Sequence, residues 1–309
     1  MPYADWQDSA ATLQLWTQVV GKVRLALTPW LNHGWQVALY VTARGIGTGP
    51  IPAGDDVIDM EFDFLAHDLV CRTSRGQIAK VALRPRSVAD FYTDLMAQLA
   101  TLGVTVAIDT MPNEVADPIA FPDDHIHASY DAVAVERFWR ALLRIDSVFK
   151  LFRSGFLGKA SPVHLFWGSF DLAVTRFSGR PAPLHPGGVP GLPDRVTPEA
   201  YSHEVSSAGF WAGSAAFPEA AFYSYAYPAP AGFGDRPMPA GARFDAAMGE
   251  YILPYEAVRM APDPQALLLA FLDATYAAAA DLGSWDRTAL EYAPGVPGVP
   301  RAIPGDTST

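Results

Sequence analysis

The chain has 309 residues, 50% of them apolar and 18% charged, which is enough for one large domain or two ordinary ones. Its net charge of −11 argues against nucleic acid or an anionic membrane as a partner, because both require a basic surface. The single cysteine, Cys71, excludes an internal disulfide framework and a cysteine-based metal cluster.

The first half begins and ends with a helical pattern. Apolar residues step by three and four over 13–27, and a second helix begins after the cap residue Ser87 and ends at Gly103. Between the two helices the apolar period is two, which is typical of half-buried strands. The segments with this period are 35–42, 59–64 and a hairpin of 67–72 and 77–83, and the β-branched run 104–108 adds a strand after the second helix.

The second half has the same order of elements. A long apolar stripe over 135–152 ends at Gly155, and a last helix begins at Asp263-Pro264 and ends at Gly283. The segments 163–177, 223–227 and 250–253 between these helices have strand patterns. Runs of strands between helices favour antiparallel sheets, so we expect an α+β fold of two related α-β(n)-α units with the sheets packed against the helices.

An internal duplication is predicted because the two halves share residues at matching spacings. His33-Gly34-Trp35 precedes Arg44 by nine positions from the tryptophan, and His164-Leu165-Phe166-Trp167 precedes Arg176 by the same nine. Gly21-Lys22 and Gly158-Lys159 lie upstream of these two segments. We therefore expect a first unit over 1–115 and a second over 116–292, which contains a Pro/Gly-rich loop at 181–198; residues 293–309 have the composition of a disordered tail.

The location predicted from the sequence is cytoplasmic. The N-terminus has neither a basic segment nor an apolar one, so no signal peptide is expected. The longest apolar stretch, 266–280, contains Asp273 and is too short to cross a bilayer, so no membrane partner is expected either.

The second half contains a dense set of polar and aromatic residues. Histidine, aspartate and arginine are costly on a strand rich in aromatics unless they are paired or functional. The candidate catalytic or acid–base residues are His164, Asp171, His203 and Glu204. The candidate ligand-binding residues are Lys159, Trp167, Arg176, Arg180, Trp211, Tyr223 and Tyr225, of which the two arginines would hold an anionic group.

Three interpretations of this set remain open. The residues could form an acid–base or ligand site in an aromatic cavity, or a buried hydrogen-bond network that joins two sheets. Alternatively, His164, His203 and Glu204 supply the two-histidine, one-carboxylate set of a metal site. The sequence assigns no particular metal, cofactor or oligomeric state.

A family resemblance rests on two stretches of sequence. The first is 158–173, GKASPVHLFWGSFDLA, which continues to Thr175-Arg176-Phe177-Ser178-Gly179-Arg180. The second comprises His203-Glu204, Gly209-Phe210-Trp211, Tyr223-Ser224-Tyr225 and Leu253-Pro254-Tyr255-Glu256. The chain resembles the DUF5996 group of bacterial proteins from Trp6 to about Leu290, and the resemblance implies no activity, substrate or cofactor.

Two functions are therefore expected as alternatives. The first is a small-molecule site for an anionic ligand, formed largely by the second unit and covered by the loop 181–198. In one form of this alternative the site is also catalytic. The second is a non-catalytic binding or protein-interaction protein, in which the His/Asp/Arg cluster is structural. Converging titratable groups in one cavity would favour the first, and an open apolar patch would favour the second.

Overall fold

A computed structural model describes residues 2–215 and 217–300, and within them helices are combined with two antiparallel sheets, one from each half. The α-helices are α1 (Gln7–Leu27), α2 (Val88–Thr101), α3 (Ala132–Ser154), α4 (Thr197–Ala200), α5 (Tyr255–Arg259), α6 (Pro264–Leu282) and α7 (Arg287–Leu290). The strands of the first half are β1 (Tyr40–Val41), β2 (Gly45–Gly47), β3 (Ile51–Ala53), β4 (Asp56–Asp63), β5 (Asp68–Thr73) and β6 (Ile78–Ala82). Those of the second half are β7 (His164–Phe166), β8 (Asp171–Pro181), β9 (His203–Trp211), β10 (Ala221–Tyr227), β11 (Arg243–Asp245) and β12 (Glu250–Pro254).

The sheet orders confirm the predicted α+β class. The first sheet runs β1-β2-β4-β5-β6, with β3 paired to β4, and the second runs β11-β12-β10-β9-β8-β7. Each half therefore consists of a long helix, an antiparallel sheet and another helix. The internal duplication stays a prediction.

The four long helices predicted from periodicity are confirmed as α1, α2, α3 and α6. Three of them begin at a side-chain cap, in which an oxygen accepts a hydrogen bond from an otherwise unpaired backbone N–H. Ser87 caps α2 through the N–H of Asp90, Asp131 caps α3, and Asp263 caps α6 immediately before Pro264. The predicted hairpin 67–72/77–83 is also confirmed, as β5 and β6.

The predicted strand 35–42 is wrong over most of its length. Residues Asn32–Val37 form 3-10 turns, and only Tyr40–Val41 is a strand. His33 and Gly34, with φ angles of 62° and 71°, turn the chain immediately before the predicted strand, and the 3-10 segment continues from them through Val37. The run 104–108 also belongs to no strand, although it follows α2 as predicted.

The predicted strand 163–177 is two strands. A turn over 167–170, in which Phe170 has a φ of 57°, separates β7 from β8, and the two strands then pair in antiparallel. Because His164 pairs with Ala173 and Phe166 with Asp171, these residues share one face of the sheet. A single strand would have placed His164 and Asp171 on opposite faces.

The other face of the second sheet carries the even-numbered residues of β8 and is covered by α3 and α6. Of the described helices, only α6 is long and apolar enough to cross a membrane, but 44% of its apolar stretch is buried inside the protein. Core helices pass the same test, so α6 is weak support for a membrane span.

The two halves are joined along a seam between α1 and the β7–β8 turn. The indole Nε1 of Trp167 donates a hydrogen bond to the carbonyl of Val37 at 2.8 Å, and its ring lies against Gly21 of α1. Leu39 and Leu165 exchange two backbone hydrogen bonds of 2.8 Å across the same seam. A single apolar core therefore extends through both halves.

The sequence predicts two irregular segments, 181–198 and 293–309. The predicted loop 181–198 is irregular over 182–193 and then forms 3-10 turns at Asp194–Val196 and the start of α4. Of the predicted disordered tail, residues 301–309 lie outside the described residues. Within the described part, the N–H of Gly295 donates to the Ser154 hydroxyl at the end of α3.

Gly21→Ala tests the seam. An alanine in place of a helical glycine ordinarily stabilises by about 0.5–1 kcal/mol, whereas overlap with a packed ring costs about 1–3 kcal/mol. A Cβ at position 21 would overlap the Trp167 indole, so we expect a lower free energy of unfolding in urea. The exposed Gln7→Ala in the same helix is the control, and a Gly21→Ala variant as stable as the parent would contradict the tight seam.

Candidate site: an aromatic cavity between the halves

A cavity of about 420 Å³ lies beside the seam and has walls from both halves. The first half contributes α1, the 3-10 segment Asn32–Val37 and the stretch 107–114. The second half contributes the odd-numbered face of β8, β9 and β10. Residues 182–200, the covering segment, close one side together with Tyr201. Its aromatic walls are Trp30, Trp35, Phe166, Trp167, Phe177, Tyr201, Tyr223 and Tyr225.

Asp171 is the most buried carboxyl of the cavity, with 3% of its surface exposed. It accepts hydrogen bonds from the hydroxyls of Ser169 and Tyr223. Burial raises its pKa, and these hydrogen bonds oppose that effect without cancelling it. Among the described residues, no basic side chain is a source of the shift, so the carboxylate form has no cation to stabilise it.

Glu114 brings a second carboxyl to the same wall. It lies in the connection between α2 and α3, where its backbone N–H donates to the carbonyl of Gly191 at 3.0 Å. Its carboxyl lies over Gly168 so closely that a Cβ there would overlap it. Burial and the nearby Asp171 raise the pKa of Glu114 to about 7.

A ladder of tyrosines extends from Asp171 along the sheet. Tyr223 and Tyr225 stack with their ring centroids 6.2 Å apart, and the hydroxyl of Tyr225 lies 3.1 Å from that of Tyr201. Burial raises the pKa of each of these phenols, so they are neutral donors. Behind them, burial and Asp171 raise the pKa of Glu250 to about 7.

The basic groups of the lining lie around one exposed aspartate. The buried Lys22 ammonium donates to the Met111 carbonyl and lies 3.5 Å from Asp109. Arg195, on the covering segment, is exposed and also acts on Asp109, whose pKa is lowered by its backbone hydrogen bond, Lys22 and Arg195. Lys22 thus already has an anionic partner.

His33 links the covering segment to Lys159. Its Nδ1 lies 3.0 Å from the carbonyl of Glu199 and 3.2 Å from that of Ala200. Carbonyls only accept, so Nδ1 carries the proton and Nε2 accepts from the Lys159 ammonium. Burial and the Lys159 charge lower the pKa of His33, which is therefore neutral at pH 7.

Of the residues predicted from the sequence, Asp171, Trp167, Tyr223 and Tyr225 line the cavity. Lys159 lies behind the wall, where its ammonium contacts His33 and lies 5.6 and 5.0 Å from the ring centroids of Trp35 and Phe177. Trp211 stacks behind Tyr223 at 4.4 Å between ring centroids.

His164 is fully buried beside the cavity rather than in its wall. Its ring lies against Phe166 and Trp35, at 4.5 and 6.3 Å between centroids. Neither ring nitrogen has a hydrogen-bond partner among the described residues. Burial and the charge of Arg24 lower its pKa to about 3, so the ring is neutral.

Arg176 was predicted to bind an anionic ligand, but it does not line the cavity. The even-numbered residues of β8 face α3 and α6 instead. Its guanidinium stacks 3.4 Å from the Phe152 ring centroid and 4.4 Å from that of Tyr276, and it donates to the Phe152 carbonyl. Burial lowers its pKa to about 10. This arginine holds α3 and α6 against the sheet.

Arg180 and Glu204 lie on that same face and bind each other. The Glu204 carboxylate accepts from Nε and Nη2 of Arg180 at 2.9 and 2.7 Å, and Arg180 also donates to the Ser284 carbonyl at 3.1 Å. His203 lies on the cavity side, where its Nδ1 is 3.0 Å from the Ser202 hydroxyl. The predicted acid–base pair His203-Glu204 is thus divided between the two faces of the sheet.

A metal site of His164, His203 and Glu204 is not formed. Over residues 2–215 and 217–300, no group of three or more His, Cys, Asp or Glu side chains is arranged to hold a metal ion. Cys71 is buried, and burial raises the pKa of its thiol to about 12, so it is unreactive.

Comparison with known proteins gives a family. The model of a family of unknown function, DUF5996, matches residues 1–292. The chain belongs to the DUF5996 family. No curated protein and no solved structure matches it.

Lys22, His33 and Glu114 are among the cavity residues of this DUF5996 protein that the predicted site did not include. Lys22 and His33 belong to the motifs shared by the two halves, so the shared spacing was a signal for them. Glu114 has no such signal, because it lies in an irregular connection and reaches the cavity only through contacts with Gly168 and Gly191.

Arg176→Ala separates a structural arginine from a ligand-binding one. Loss of stacking and of a charged hydrogen bond should lower the free energy of unfolding by about 2–3 kcal/mol. The matched variant Arg180→Ala removes a surface ion pair, for which about 0–1 kcal/mol is expected. Urea denaturation measures both, and equal small effects would contradict the structural role of Arg176.

Glu114 should make stability fall as pH rises. A carboxyl whose folded pKa is raised binds its proton more tightly in the folded state, so its stabilising effect is complete below its unfolded pKa of about 4.3 and is lost as pH rises through 7. Glu114→Gln should therefore be more stable than the parent by about 1–3 kcal/mol at pH 8 and similar to it at pH 4. Urea denaturation across this pH range measures the difference, with the exposed Glu219→Gln as control; parallel curves for Glu114→Gln and the parent would contradict the raised pKa.

Proposed function

We propose that this DUF5996 protein binds a small, largely apolar organic molecule in the cavity between its halves. The observation that carries the proposal is the cavity itself, whose volume of about 420 Å³ lies in the range of small-molecule sites. Aromatic and aliphatic walls would bury the body of the ligand. The Asp171–Tyr223 pair and Glu114 would fix its orientation by hydrogen bonds.

The covering segment 182–200 supports a binding role. It is held by contacts from three directions: Glu199 and Ala200 to His33, Gly191 to Glu114, and Pro183 to the Tyr227 hydroxyl at 3.0 Å. Long irregular segments with defined anchors often border binding sites. Val189, Leu192 and Pro193 from this segment face the cavity and add apolar lining.

The expected anionic ligand is not carried forward, because it depended on Arg176 and Arg180. Both guanidiniums are used on the opposite face of the sheet. The alternative of a purely structural polar network accounts for Arg176 and for Arg180 with Glu204. It does not account for Glu114, whose carboxyl has no cationic partner at the wall of an accessible cavity.

Acid–base catalysis in the same cavity is a second candidate. The pKa of Glu114, raised to about 7, suits a group that gives and takes protons at neutral pH. The carboxyl also lies at the cavity wall, beside Gly168 and near Asp171. In this version Glu114 takes the acid–base role for which the sequence offered His164, Asp171, His203 and Glu204.

Filling the cavity tests the binding proposal. Ala173 lies on the cavity face of β8, and Ala173→Leu would occupy part of the volume that a ligand needs. The uncharged dye N-phenyl-1-naphthylamine, whose fluorescence rises in apolar surroundings, should bind the parent and bind Ala173→Leu at least about tenfold more weakly, a loss of about 1.4 kcal/mol.

The control is Ala97→Leu, which adds the same side chain on the exposed face of α2. It should bind the dye as the parent does, and circular dichroism should show all three proteins folded. Equal dye affinity in the parent and in folded Ala173→Leu would place the dye elsewhere and overturn the proposal.

A further inference from the structure

The charges of the cavity are unevenly compensated. Lys22 and Arg195 both act on Asp109, whereas Asp171 raises the pKa of Glu114 and no basic side chain of the described residues shifts the pKa of either carboxyl. Two carboxyls without a cation therefore share one wall. In an enclosed apolar setting such groups release their protons readily only when a positive charge approaches.

The walls next to these carboxyls are aromatic. The rings of Tyr225 and Trp167 line the cavity together with Tyr223, which itself stacks on Trp211 and Tyr225. The negative faces of aromatic rings attract cations, most strongly where water is excluded. The protein already uses this interaction at the cavity wall, since the Lys159 ammonium lies 5.0 Å from the Phe177 ring centroid.

We infer that the ligand of this cavity is an organic ammonium ion, with its charged nitrogen at Asp171 and Glu114 and its apolar body against the aromatic walls. The inference rests on the proposed binding function and names its ligand class. The ammonium donates hydrogen bonds to the two carboxylates and supplies the counter-charge that the described residues do not.

A carboxylate ligand fits the same site poorly. At the acidic wall it would face two groups of its own charge. Of the basic side chains at or behind the lining, Lys22 is already paired with Asp109, Lys159 donates to His33, and Arg195 is exposed to solvent, where an ion pair contributes little. A neutral alcohol could hydrogen-bond to the protonated carboxyls, but it would gain nothing when they ionise.

The ammonium ligand also implies a direction of pH dependence. The ionisable groups that face the two carboxyls or border the cavity are Lys22, His33, Asp109, Arg195, Tyr201, Tyr223, Tyr225 and, behind these, Lys159, His203 and Glu250. The lowered pKa of His33 keeps it neutral at pH 7 and above, and the raised pKa values of the tyrosines keep them protonated. Glu114, with Glu250 behind it, thus ionises near neutrality, and ammonium affinity should rise as pH increases through 7.

Three probes that share a phenylethyl group and differ in their polar group test the inference in the intact protein. They are 2-phenylethylamine, 2-phenylethanol and 3-phenylpropionate, each titrated by calorimetry at about pH 5.5 and 8.5. The amine stays protonated at both, as a lysine side chain does. At pH 8.5 it should bind at least about tenfold more tightly than the alcohol, with the carboxylate weakest.

Two variants connect the preference to the carboxyls. Glu114→Gln should remove most of the rise in amine affinity between the two pH values, whereas the uncharged 2-phenylethanol should show no such rise in the parent or in the variant. Asp171→Asn should act in the same direction, and since this residue is fully enclosed, Glu114→Gln decides the matter if Asp171→Asn does not fold. Glu219→Gln, on the surface, is the matched control and should bind all three probes as the parent does.

The outcomes separate the two proposals. If the alcohol or the carboxylate binds as tightly as the amine at pH 8.5, the ammonium inference is overturned and the cavity remains a binding site. An amine preference that Glu114→Gln leaves intact also overturns it. If no probe binds and the naphthylamine dye does not bind either, the proposed function fails together with the inference.

Discussion

The contact between the Trp167 indole and the bare backbone of α1 at Gly21 sets the position of the whole β7–β8 turn. The ring fits only because position 21 has no side chain, and its N–H is fixed by the Val37 carbonyl. Gly168 is held next to it by a 2.5 Å hydrogen bond from Gln14 of α1. The Glu114 carboxyl rests on this glycine, and Asp171 follows the turn, so the acidic wall is assembled from the seam outward.

The second sheet separates two kinds of polar chemistry on its two faces. On the face toward α3 and α6, Arg176 stacks on rings and donates to the Phe152 carbonyl, although its Nε has no hydrogen-bond partner among the described residues, and Arg180 binds a carboxylate and carbonyls. On the cavity face, Asp171 accepts hydrogen bonds from hydroxyls, and no basic side chain of the described residues contributes to its pKa shift. The asymmetry points to a site whose last partner comes from outside the chain.

The sequence was sufficient for what depends on local pattern. Helical spacing and capping residues placed α1, α2, α3 and α6, and the alternation of the tyrosines placed Tyr223 and Tyr225 on one strand face. The errors came where the 3-10 segment Asn32–Val37 extends into one strand pattern and where the left-handed residue Phe170 interrupts another. Because a turn divides 163–177, His164 and Asp171 lie on the same face of the sheet and not on opposite faces, and Arg176 lies away from the cavity. The contribution of Glu114 depends on tertiary contacts alone and has no local pattern.

Because the cavity walls come from both halves, neither half contains the site on its own. Residues 107–114 and α1 supply one side, and the odd-numbered face of β8 to β10 supplies the other. Any molecule held there contacts both halves at once, and its binding energy adds to the energy that keeps them together. The saturated protein should therefore unfold in one cooperative step, and independently expressed halves would have to reassemble along the Trp167 seam before either could retain the ligand.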